Sequence, residues 1–155
     1  MEAITAIKTL LRRYDRYTGR LNVPGDWGER AFRGWLAMDL LCDALGWPSS
    51  HVVLGERFDI LLLDQGLHPV VNIETKKPYY EASPREKANF EDRLKYYGTL
   101  RWACLTNGTS WLRLSLLSPS GTQVIQERKT LNIEKASQKA ARSFFEVIHA
   151  RNFLV

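Results

Sequence analysis

A chain of 155 residues, 45% hydrophobic and 25% charged, has the size and balance of one globular domain with its own core, which excludes a disordered or fibrous class. Lys and Arg outnumber Asp and Glu 22 to 17, a net charge of +5 that is compatible with a polyanion partner without specifying one. The charged first twenty residues and the lack of a long apolar run argue against a signal peptide or membrane span, and Cys42 and Cys104 read as free thiols, so a cytoplasmic protein is expected.

In chain order, Ile4, Ile7, Leu10, Leu11 and Tyr14 recur at the helical period and predict a helix over about 2–17. A second helix is expected over about 27–45, with Asp26 as its cap and "GWP" at Gly46 to Pro48 as its stop. Strands follow near "HVVLG", in "RFDILLLD" and in "PVVNIETKK", the last two joined as a hairpin across "QGLH". "SPREKANFEDRLKYYGTL" predicts a helix with Ser83 as cap and Phe90, Leu94 and Tyr97 on one stripe. "RWACLTNGTSWLRLSLLS" reads as two strands about the Asn107-Gly108 turn, and "SPSG" as a turn before a strand in "TQVIQERK". A closing helix is expected over about 132–151, with Ala141, Phe144, Phe145 and Ile148 inward. The result is a single domain over 1–155 with its core at about 27–117: α, α, a mostly antiparallel sheet with one inserted helix, and α.

The acids in the two central strands carry the chemistry. A hairpin that sets Asp64 opposite Pro69 carries Asp59 opposite Glu74, and residues two apart on a strand share a face, so Lys76 lies on the Glu74 side. Two like charges across a ladder destabilise it unless a cation lies between them. A divalent metal is one such cation, and two carboxylates, a backbone carbonyl and water suit Mg²⁺. Glu29, which falls on the Phe32, Leu36, Leu40 stripe of the second helix, is a further acid for the same cluster. The plainer alternative makes Asp59 and Glu74 strand ends, Lys76 a solvated edge lysine and Glu29 a first-turn acid favoured by the helix dipole.

Together these residues resemble the PD-(D/E)XK, or restriction-endonuclease-like, nucleases. "GERFDILLLDQGLHPVVNIETKKP" carries a G-x-x-x-D strand, Gly55 to Asp59, and an IE-x-K-x-P strand, Ile73 to Pro78. Glu29 precedes them, while Tyr96 or Tyr97 and "LTNGTSW", Leu105 to Trp111, follow. The nearest likeness is to the N-terminal nuclease domain of type I restriction enzyme motor subunits, over roughly 27–116.

The resemblance implies a central mixed β-sheet flanked by helices on both sides and a Mg²⁺-dependent endonuclease acting on DNA in restriction or antiviral defence, with Mn²⁺ as a substitute metal. Asp59, Glu74 and the Thr75 carbonyl would hold the metal, Glu29 would help directly or through water, and Lys76 would position the attacking water. DNA is the expected partner, with a homodimer or further subunits of a restriction-modification system as others and no membrane.

Lys77, Lys87, Arg93 and Lys95 follow the triplet and are the expected DNA contacts. Arg12 and Arg13, with Lys8, Arg16 and Arg20, form a basic helix face that either tracks phosphates or is simply solvated. The sequence departs from the family at one point: Arg93 or Asp92 stands where related nucleases carry a Gln four residues before a Tyr. The alternative reading is accordingly a catalytically inactive DNA-binding or assembly module of the same fold.

Overall fold

The computed structural model describes residues 1–21, 25–55, 58–95, 97–118 and 123–155, with the backbone alone at 19–21 and 25–26. Tyr96, the interior of the G-x-x-x-D stretch and most of "SPSG" therefore lie outside the described residues.

The first helix, α1 (Ala3–Leu21), buries Ile4, Ile7, Leu10, Leu11 and Tyr14, the stripe its period predicts. The next helical segment begins as α2 (Gly25–Trp35), so Asp26 falls inside it rather than at its cap. It continues as a π-helix, Leu36–Ala44, in which a bond from the Leu45 N–H to the Leu40 carbonyl closes the wider turn. Residues five apart, Leu36 with Leu41 and Leu40 with Leu45, are all buried there. Gly46, at φ 74°, ends the segment by donating its N–H to the Cys42 carbonyl.

Six strands then build one mixed sheet in chain order: β1 (Val52–Leu54), β2 (Ile60–Leu63), β3 (Pro69–Thr75), β4 (Trp102–Thr106), β5 (Ser110–Leu117) and β6 (Val124–Asn132). Every neighbouring pair is antiparallel except β3 with β4, which α3 (Pro84–Leu94) connects as a crossover. The Ser83 hydroxyl accepts the Glu86 N–H and Glu86 returns the bond to the Ser83 N–H, a capping box that fixes where α3 begins.

Alternation along the strands separates two cores. On one face Val71, Ile73, Cys104 and Trp111 pack with the apolar sides of α1, the π-helix and α4 (Gln138–Glu146). On the other, Ala103, Leu105, Leu114 and Leu116 pack with Phe90 and Leu94 of α3 and with Leu100, edged by Ala82, Tyr97, Leu112 and Ile125. The chain is thus an α/β protein whose mixed sheet carries helices on both faces, a thick layer on one and a single helix on the other. Its closing helix is shorter than expected. β6 runs to Asn132, and α4 starts only after Ser137 caps the Ala140 N–H, because the turn at 133–135 seats Ile133 in the core. No helix of the described residues is long and apolar enough to cross a membrane.

Candidate active site

The register of β2 on β3 decides whether the two acids meet. Ile60 pairs with Ile73, Leu61 with Asn72 and Leu62 with Val71, and the ladder ends there; Asp59, in the bend before it, reaches Thr75 and Arg33 on the α2 side, whereas Glu74 reaches Arg93 on the α3 side, so the two acids do not share one face as the sequence predicts. The turn end differs. Leu63 lies opposite Pro69, the Asp64 N–H donates to the His68 carbonyl, and a bulge between Leu62 and Leu63 absorbs the one-residue difference. Asp64 shapes that turn itself, its Oδ1 accepting the Gly66 and His68 N–H groups at 2.9 Å.

Asp59 lies in the bend that precedes β2. Its Oδ2 accepts the Thr75 N–H at 2.7 Å and the Thr75 hydroxyl at 3.2 Å. Its Oδ1 lies 3.1 Å from the Arg33 guanidinium, whose Nε donates to the Thr75 hydroxyl at 3.2 Å. Arg33 comes from α2, where it also stands 3.7 Å from Glu29, one turn earlier. Glu29 is not part of the buried stripe that its spacing suggested. Its side chain is half-exposed at the rim of α2 and joins the cluster through Arg33, because an ion pair there keeps the carboxylate out of the apolar core.

Glu74 projects to the α3 side and is 7% exposed. Oε1 pairs with the Arg93 guanidinium of α3, whereas Oε2 is buried with no partner among the described residues. Burial pushes this carboxyl above its ordinary range; Arg93 and Lys76 pull it back and the Asp59 charge raises it further. Lys76 reaches Glu86 at 3.3 Å, and its N–H donates to the Thr106 carbonyl. Held by its bonds to the Ser83 N–H and the Tyr80 hydroxyl, Glu86 is lowered to about 2. Each acid is thus neutralised by its own arginine, Asp59 by Arg33 of α2 and Glu74 by Arg93 of α3. Among the described residues no three acidic, His or Cys side chains stand together as a ready metal cage.

The "LTNG" turn, which the sequence assigns to hairpin and core, also braces this site. Asn107 Nδ2 donates to the Tyr80 carbonyl at 2.9 Å, and its Oδ1 accepts the Thr109 and Ser110 N–H groups. Residues 77–80 form a turn closed by the Tyr80 N–H on the Lys77 carbonyl, with Tyr79 at φ 69°, a left-handed backbone that costs a non-glycine residue of order 1 kcal/mol. The Tyr79 hydroxyl donates to Asp15 of α1, and burial together with that bond pushes its pKa to about 12. Gly108, at φ 92°, packs so closely that a Cβ there would come within 2.8 Å of the Leu11 side chain.

Two hollows flank Lys76. One, of about 460 Å³, is lined by Lys76, Glu86, Asn89, Asp92 and Arg93. The other, of about 330 Å³, includes Lys76, Tyr80, Lys87, Asn107 and Thr130. Lys77 and Lys95 are exposed. Among the described residues Arg12 bonds only Thr9 of its own helix, whereas Arg13 lies 3.1 Å from Asp39 and 5.2 Å from the Trp35 ring centre, so it is anchored to the protein. No family model, curated protein or solved structure matches this chain. The functional reading therefore stands on these residues and their chemistry.

Arg33, Glu86 and Asn107 belong to the cluster although the sequence reading did not single them out for it. Arg33 follows Glu29 by four on a helix, and Glu86 completes an S-x-x-E box with Ser83, so both were marked by spacing. Nothing local marks Asn107 as a brace for a turn nearly thirty residues earlier.

Proposed function

We propose that the chain is a Mg²⁺-dependent DNA endonuclease of restriction-endonuclease-like fold, acting in defence against foreign DNA. The observation that supports the reading is the Asp59 carboxylate on the Thr75 N–H, next to Glu74, with a Glu74 Oε2 that is buried and without a partner among the described residues and Lys76 two residues on. A sheet of three antiparallel strands with a fourth parallel to the third through a crossover helix supports it at the level of the fold.

The donor set fits the metal: Asp59, Glu74 and the Thr75 carbonyl offer only oxygen, and the bare Oε2 is an acceptor that a hard cation would satisfy. Mg²⁺, when bound by these groups with Glu29 assisting, supplies a polarised phosphate and a water of lowered pKa. The chain does the positioning. Thr75 and Arg33 hold Asp59 in place, the Asn107 brace and the Thr106 carbonyl fix the backbone beside Lys76, and the Lys76 ammonium meets the anionic oxygen or orients the water. The duplex would cross Lys76 between the two hollows, with Lys77, Lys87, Arg93 and Lys95 meeting its phosphates.

Supercoiled and linear DNA incubated with pure protein and Mg²⁺ or Mn²⁺ test the reading, beside EDTA, Glu74→Ala and Lys76→Ala controls. Cutting that needs the metal and both residues is expected; cutting that persists in the controls refutes the site. The second reading, a binding module without turnover, draws on the two arginines that already neutralise the acids. It predicts DNA binding and no cutting in any metal.

A further inference from the structure

The two acids are neutralised very differently. Asp59 is 15% exposed, and its Arg33 partner is 21% exposed and tied to Thr75 and Glu29 as well. Arg93 is 41% exposed, pairs among the described residues with Glu74 alone, and lines the 460 Å³ hollow beside Lys76. A divalent ion on Glu74 would set its charge against the Arg93 guanidinium on the same carboxylate, and like charges that close repel strongly in a partly buried site. Arg93 is the arginine free to leave.

Neighbouring acids offer it little on leaving. Glu86 is engaged by Lys76, Tyr80 and the Ser83 N–H, and Glu91 by Arg128. Asp92, the adjacent residue on the same helix, also lines the hollow, but it is exposed, and neighbours one apart on a helix do not face each other. What remains is an anion brought into the hollow, and a guanidinium binds a phosphodiester through paired N–H bonds.

We propose that Arg93 is an exchanging cation: it guards Glu74 while no metal is bound, and yields Glu74 to a divalent ion as it turns into the hollow to grip a phosphate of the nucleic acid. This deepens the proposed function and rests on its metal site. Metal and phosphate then bind with positive coupling, since each removes a cost that the other would meet, and by linkage the effect is reciprocal. Isolated metal would bind weakly, which limits chemistry in the absence of substrate.

The test uses the full chain, dialysed against EDTA, in wild-type, Arg93→Gln, Arg93→Lys and Glu74→Gln forms with folding checked by thermal melting. Mn²⁺ alone is titrated calorimetrically, and a fluorescent mixed-sequence DNA duplex is titrated by anisotropy with and without Ca²⁺. Arg93→Gln should bind Mn²⁺ roughly tenfold more tightly than wild type, the scale of one lost competing ion pair, with Arg93→Lys between them. The same variant should bind the duplex more weakly and lose most of the tightening that Ca²⁺ gives the wild type. Equal Mn²⁺ affinity in wild type and both Arg93 variants, with binding lost in Glu74→Gln, would overturn the exchange while leaving the metal site intact. Saturable Mn²⁺ binding in none of the four forms would overturn both.

Discussion

The two sides of the sheet hold the two halves of the site by different means. The Asp59 half leans on the thick layer, where α1, the π-helix and α4 share a large core and Arg33, Thr75 and a backbone N–H share one carboxylate. The Glu74 half faces the thin layer, in which α3 covers a small core and, among the described residues, a single guanidinium meets a carboxylate whose other oxygen has no partner. A group with three partners stays fixed because releasing it leaves several polar groups unpaired, whereas a group with one partner can exchange it. The fold thereby puts a rigid acid beside an adaptable one, an arrangement suited to a site that must accept a cation.

The comparison can be broken at several points. Glu74→Ala or Lys76→Ala should lower the rate of plasmid nicking by on the order of a thousandfold, since each removes a group acting at the reacting phosphate; a loss of only a few-fold would place the chemistry elsewhere. Arg33→Ala should cost about 2 kcal/mol in urea denaturation by stripping Asp59 and Thr75 of a shared partner. Arg93→Ala should cost under about 1 kcal/mol, because Arg93 is substantially solvated. Equal costs would erase the distinction between the halves.

A smaller effect follows from Glu74, whose carboxyl burial holds above its ordinary value of 4.5. The folded chain keeps this proton to higher pH than the unfolded chain. The group's contribution is therefore most favourable below 4.5 and declines as pH rises through the folded value. Urea midpoints of Glu74→Gln relative to wild type should rise between pH 4 and pH 7; a difference that falls over that range would contradict the burial of Glu74.

Much of this was legible in the sequence because strand alternation and helix period record which face is buried. Phe90 and Leu94, and Phe144 and Phe145, lie where their spacing put them. The expected register holds from Ile60–Ile73 to Leu62–Val71 because the bulge at Leu62/Leu63 offsets the different turn, but the ladder stops there and Asp59 turns to Thr75 and Arg33 instead of pairing with Glu74. The start of α4 was misplaced because Asn132 to Ala136 reads as helix-forming, while pairing of β6 with Ser110 and Trp111 keeps the chain extended to Asn132. Local composition does not encode such long-range pairing. The same limit explains the two arginines. Each sits on a helix face that alone looks solvated, and only the packing of α2 and α3 against the strand ends aims them at Asp59 and Glu74.

The central claim, that Asp59 and Glu74 together form a divalent-cation site, is tested most directly by thermal melting in EDTA and in millimolar Mg²⁺. A ligand that binds only the folded chain raises Tm. Wild type should melt higher with Mg²⁺, and Asp59→Asn and Glu74→Gln should each abolish the increase; an equal increase in all three proteins would show that the ion binds elsewhere.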